Sequence, residues 1–213
     1  MKSRAIVGLF GFLMAVAAGS AFGQGGSSML FRGGAIVPEK DDEWDLAAAF
    51  DIGFVFWGSP NVGLWVGAGG QGWNMAKETV DLNDGGWATI EGLVSVVPIG
   101  ASVLLWGELG NHFALQAEGG LRYAVVDSDA SVESWHPYSR DYLAVYEDPI
   151  EIDDTVLAVA SLQIEYAVDM WSFGLGGGFQ WDLSKPDQKL RGQSIAETAF
   201  DAAYFFASMS IAF

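Results

Sequence analysis

The chain has 213 residues, with 10 Lys and Arg against 27 Asp and Glu, a formal charge of −17 and no cysteine. So acidic a surface repels phosphate, which argues against nucleic-acid binding. The absence of cysteine excludes a disulfide scaffold and a lipidated N-terminus. Hydrophobic residues are 51% and aromatics 14% of the chain, with 28 glycines, a balance that suits a wall with an apolar outside and a narrow inside better than a soluble enzyme.

Lys2 and Arg4 precede an apolar run at 5–18, followed by small residues and Ala21-Phe22-Gly23 before Gln24. A basic start, an apolar centre and a small-x-small site describe a secretory signal peptide over residues 1–23. The run is shorter than the roughly 20 apolar residues of a membrane-spanning helix. The mature domain is expected at 24–213, about one domain in size. It holds no second long apolar run, so any membrane crossing is by strands, and eight strands of about 9–11 residues fit the length.

Period-two alternation marks those strands. The first covers about 28–37, with Met29, Phe31, Gly33, Ala35 and Val37 on one face. An acidic connection at 39–44 follows. The second, about 45–57, sets Leu46, Phe50, Ile52, Phe54 and Phe56 against Asp45, Asp51 and Gly53. Gly58-Ser59-Pro60-Asn61 has the chemistry of a tight turn. The third, about 62–75, is Gly-rich, and a polar connection spans 76–86. In the fourth, about 87–106, the apolar set is even-numbered to Val94 and odd-numbered from Ile99. One inserted residue has that effect, which predicts a β-bulge at 96–98 around Pro98. After a short turn at 108–111 the fifth strand, 112–126, alternates sharply. A long polar segment fills 127–154. The sixth strand is expected at 155–168, a turn at Asp169-Met170, the seventh strand at 171–183 and a loop at 184–198.

Long connections thus follow the odd strands and short ones the even strands. In an eight-stranded barrel this gathers the short turns at one end and the loops at the other. Aromatics collect near both sets of strand ends: Trp57, Trp106, Phe113, Trp171 and Phe213 on the short-turn side, and Trp44, Trp73, Trp87, Tyr123 and Trp181 on the loop side. That pattern predicts two interfacial girdles. A water-soluble barrel would line its interior with the apolar set, but the set is too large for an eight-stranded lumen.

The last strand, 204–213, reads YFFASMSIAF, with Phe205, Ala207, Met209, Ile211 and Phe213 alternating with Tyr204, Phe206, Ser208, Ser210 and Ala212. Closing an alternating strand on a bare aromatic resembles the C-terminal signature of bacterial outer-membrane β-barrel proteins. The resemblance implies that this strand seals against the first and that Phe213 is read by the barrel-insertion machinery. The run VVPIGASVLLWGELGNHFALQAEGGLRYAV at 96–125 resembles the middle hairpin of the OmpA/OmpX-type family, with a Pro-x-Gly strand, a short turn and a Gly-rich strand ending in Arg-Tyr. The likeness covers this hairpin, the leader and the terminal strand, and not the loops. It implies an all-β, eight-stranded antiparallel up-and-down transmembrane β-barrel in the outer membrane of a Gram-negative envelope. Outer-membrane lipid would surround it, no cofactor is implied, and the role would be non-enzymatic: structural, adhesive or weakly conducting. With the chain ending at the barrel, no peptidoglycan-binding domain is expected.

Chemistry concentrates on the inward face, where alternation places Arg32, Asp51, Glu118, Arg122, Gln163 and Glu165. A buried charge needs a partner, so Arg122 is expected to bridge Glu118 or Glu165, and Arg32 to pair with Asp51. Such a network fills a lumen; the alternative is a small-solute pore, cation-preferring because acids outnumber arginines. A further alternative is a lipid A-modifying enzyme with a Ser/His/acid set at the outer rim. His112 falls at the wrong end, and His136 with Ser139 and Asp141 lies in a loop without the held geometry a triad requires, so no catalytic residue is assigned. The acid clusters Asp41-Asp42-Glu43 and Asp153-Asp154 lack the glycine and terminal glutamate of a calcium loop, and no metal site is expected. Segment 127–154 is the candidate surface for an extracellular partner.

Overall fold

The structure, a computed structural model, describes residues 26–39, 44–81, 85–135 and 146–213; of Glu78, Val80 and Tyr146 it describes the backbone alone. The leader at 1–23, Asp41-Asp42-Glu43 and the His136, Ser139 and Asp141 set lie outside these residues.

Twelve strands are present among the described residues: β1 (Ser27–Pro38), β2 (Ala47–Ser59), β3 (Val62–Asp81), β4 (Trp87–Gly110), β5 (Phe113–Ser128), β6 (Ser131–Trp135), β7 (Tyr146–Ile152), β8 (Thr155–Val168), β9 (Trp171–Asp182), β10 (Asp187–Leu190), β11 (Gln193–Glu197) and β12 (Ala202–Ala212). Eight of them, β1, β2, β3, β4, β5, β8, β9 and β12, form a closed antiparallel barrel. The seam pairs β1 with β12 from Ser28↔Ala212 to Pro38↔Ala202. It continues to the last residue, where Ser27 and Phe213 exchange backbone hydrogen bonds of 3.3 and 2.9 Å. Each of the eight wall strands is paired on both sides, which is how a membrane-spanning sheet satisfies its peptide groups.

The other four strands extend one end of the wall. There β4 turns away from β5 and pairs with β6 through Trp87↔Trp135 to Glu91↔Ser131, and β7, β10 and β11 follow in order. The long polar segment and the loop at 184–198 therefore carry hairpins of their own. At the opposite end the connections shrink to Pro60-Asn61, Asn111-His112 and Asp169-Met170. His112 and Asp169 take positive φ values of 69° and 54° to close the latter two.

The bulge expected at 96–98 is absent. β4 pairs with β5 in unbroken register from Val94↔Ser128 to Glu108↔Ala114, and even-numbered residues face inward throughout: Val94, Val96, Pro98, Ser102 and Leu104 are buried. What changes along the strand is the environment. Near the loop end the apolar residues face an apolar core inside the barrel; lower down they face outward. Irregularities lie elsewhere in β4: at the short-turn end between Glu108 and Gly110, and at Gly92, with φ of 151°, beside a register shift between Met75 and Glu78 in the β3–β4 ladder. A side chain there would strike Ala130, so glycine permits the bend at which β4 changes partner.

The outer wall is apolar. Leu46, Phe50, Leu105, Leu121, Leu162, Ile164, Phe173, Leu175, Phe179 and Phe205 are all half exposed or more, Leu175 reaching 72%. They come from β2, β4, β5, β8, β9, β12 and the entry to β2, so the apolar surface runs around the cylinder. A patch of that extent on a water-soluble monomer would be an aggregation liability.

Candidate functional site

The lumen is filled in layers. At the loop end Trp44, Trp73 and Phe200 meet ring to ring, with centroids 5.2 to 5.7 Å apart. Ile36, Val94, Val96 and Leu157 surround them in one buried cluster. Trp44 and Trp73 thus face inward rather than lying in an interfacial girdle. Trp73 shares its parity with Gln71, and Trp44 is carried in by a bridge to Met75. Phe200 lies outside any strand, so alternation could not reveal it. On the loop side Tyr123 and Trp181 do face out. At the other end Trp57 and Trp106 line the interior, while Phe113, Trp171 and Phe213 remain outside or at the rim.

Beneath this plug runs a belt of amides. The Trp73 indole donates to Gln71 at 3.0 Å, Gln71 donates to Gln180 at 3.0 Å, and Gln180 donates to the Phe200 carbonyl at 2.8 Å. The belt ties β3 to β9 across the lumen and fixes the chain segment that carries Phe200.

The charged layer comes next. Arg32, Glu118, Arg122, Gln163 and Glu165 are buried, and Asp51 is largely so. Arg122 reaches Asp51 through two contacts of 3.0 Å and Glu118 at 3.3 Å. Arg32 pairs with Glu118, not with Asp51, although Arg32 and Asp51 are direct neighbours in the β1–β2 register. Register fixes which residues share a face, not the direction in which long side chains lean. The Asp51 carboxylate lies over Gly69 of β3, where a Cβ would block it, and Arg122 crosses above Gly100 of β4. Arg32 leans the other way, its guanidinium 5.0 Å from the Phe206 ring, while Arg122 sits 4.9 Å from Trp65. Both placements match cation–π geometry. Ser161 adds a hydrogen bond to Glu118 at 3.2 Å.

Glu165 feels the field of Arg32 but makes no ion-pair contact with it. It accepts hydrogen bonds from the Trp106 indole at 3.3 Å and from Gln163, and no arginine or lysine among the described residues makes an ion pair with it. Leu30, Val55, Trp65 and Leu104 form a small apolar cluster in the same half of the barrel. Below it the short-turn end opens into a cavity of about 360 Å³ lined by Trp57, Trp106, Gln116 and Glu165 among others.

At the loop end, among the described residues, no group of three His, Cys, Asp or Glu is placed to hold a metal ion. Asp153 is held by Lys189. Asp154 accepts from the Tyr123 hydroxyl at 2.7 Å and the Val126 amide at 3.1 Å. Asp182 gathers Thr155 and the backbone amides of Ser184, Lys185 and Phe200, a use of a carboxylate that holds a strand exit in place.

No protein-family model matches the chain, and no curated protein does. Among solved structures, the outer membrane protein OprG from Pseudomonas aeruginosa is similar with a TM-score of 0.55 and 9% identity, over 88% of this chain and 96% of that one. A major outer membrane protein from Thermus thermophilus is similar with a TM-score of 0.52 and 10% identity, over 90% and 100%. Neisserial surface protein A gives a TM-score of 0.47 and 7% identity, over 89% and 97%. The chain has the OmpA/OmpX-type outer-membrane barrel fold. In such an eight-stranded barrel the interior is just wide enough for side chains, and here the aromatic plug, the amide belt and the ion network occupy it in turn.

Proposed function

We propose that the protein is an outer-membrane barrel whose lumen is closed by its own side chains, and that it strengthens the envelope or presents the β6–β7 and β10–β11 hairpins to a partner outside the cell. The observation that carries this reading is the stacking of two independent seals. The Trp44, Trp73 and Phe200 rings close the loop end, and the two-arginine network closes the middle. A solute path would have to break both. Export by the leader, insertion through the strand ending in Phe213, and a non-enzymatic role belong to the same reading.

Planar-bilayer recording of the purified protein tests it. A filled lumen gives no discrete conductance steps. Steps from the unmodified protein would contradict the proposal and favour the cation-preferring pore. Recovery from an isolated outer-membrane fraction, with a mobility shift on boiling, checks the location; absence from that fraction would contradict it.

A further inference from the structure

We propose that the cavity at the short-turn end is a binding site for a small primary ammonium compound bearing a neighbouring oxygen, with Glu165 as the counter-charge. Glu165 is 7% exposed, yet its two hydrogen bonds come from the neutral donors Trp106 and Gln163. Asp51 and Glu118, by contrast, are each met by arginine. A carboxylate offers about four acceptor positions, so about two remain on Glu165 with no ion partner. Burying an ion in that condition is costly unless a cation joins it or a proton neutralises it.

A second orphan group lines the same cavity. Gln116 is 4% exposed and its Nε2 donor has no partner. It sits on β5 directly opposite Gln163 of β8, one inward step from Glu165. The cavity therefore presents a carboxylate without an ion-pair contact and an unpaired donor close together. An ammonium group satisfies the first, and a hydroxyl or carbonyl oxygen near it satisfies the second. Trp57 and Trp106 supply aromatic walls of the kind that attract cations, and Asp169 at the mouth adds negative potential. A volume of about 360 Å³ holds a compound of a few heavy atoms with room for its water. An anion or a purely apolar ligand would leave Glu165 as it stands.

The test uses the folded full barrel in maltoside micelles, whose headgroup carries no ammonium. The probe is 2-aminoethanol, and ethylene glycol is the neutral control of nearly the same shape. Backbone amide NMR should show saturable shifts at Ala114, Gln116, Glu165 and Ala167 with the amine and none with the glycol. Glu165→Gln keeps an acceptor for the Trp106 indole and should weaken binding by about tenfold or more, the scale of one lost charge partner, with the rest of the spectrum unchanged. An equal response to both probes, or unchanged binding in Glu165→Gln, overturns the proposal. Should that variant fail to fold, the comparison of the two probes on the unmodified protein decides alone. Conductance is a separate readout: a conducting lumen would overturn the filled-lumen reading without touching this one.

Discussion

Glu118 is the residue at which two arginines meet, and it illustrates how far alternation can be pushed. Its inward direction, like that of the other five lumen residues, follows from parity along a strand. Its contact with Arg32 does not, because the route of a long side chain depends on where neighbouring strands lack a Cβ, as at Gly69 and Gly100. Glu118→Gln leaves Arg32 buried without an ion partner, and urea unfolding from lipid vesicles should show a loss of about 3–5 kcal/mol. Asp51→Asn should cost less, since Arg122 keeps Glu118. Trp73→Ala removes the centre of the aromatic plug and should cost about 3–5 kcal/mol in the same measurement. The parity of Trp73 with Gln71 assigns it to the lumen; its height near a strand end points misleadingly to a girdle. Trp44 and Phe200 carry no readable signal, since both are placed by chain segments outside regular strands.

At the scale of elements, the eight wall strands and three tight turns are legible because each strand alternates and each turn is short. The outer sheet is not, since β6, β7, β10 and β11 are four to seven residues long and largely polar, and nothing in their sequence distinguishes so short a strand from a loop. The apparent register flip in β4 comes from a change of surroundings, and the true bend falls on Gly92. Gly92→Val should force Ala130 away and loosen β6 from β4. Amide exchange should quicken in β6 and β7 while β5, β8 and β9 stay protected; uniform exchange rates would contradict the hinge. The outer sheet is also pinned by Lys189 on Asp153. The hydrogen bond to that carboxylate raises the Lys189 ammonium above its ordinary value of 10.5, burial opposes it, and the charges of Asp153, Asp187 and Glu151 add to it. A raised value in the folded state means the contribution is fully present below the ordinary lysine range and is lost as pH rises through the raised one. The Lys189 contribution to melting of the outer sheet should therefore be flat through neutral pH and fall in the alkaline range, and Lys189→Met should reduce that alkaline fall, the remainder coming from Lys77 and Tyr123, whose values are raised by Glu91 and Asp154.

For the whole molecule, the governing fact is an inversion of the usual globular plan: leucines and phenylalanines outside, arginines and carboxylates within. Composition hints at it, and the exposed apolar wall expresses it residue by residue. Placing an arginine at Leu175, the most exposed of these, should lower folding stability in vesicles by about 2–4 kcal/mol near the bilayer midplane, and by less toward either interface. The most direct test of the account is spin-label accessibility in reconstituted bilayers at Ile52, Leu105, Leu121, Leu162 and Leu175, one label per molecule. Lipid-dissolved oxygen should collide with all five labels far more often than a water-soluble nickel chelate does. Preferential access by the nickel chelate at these positions would contradict the membrane-spanning barrel.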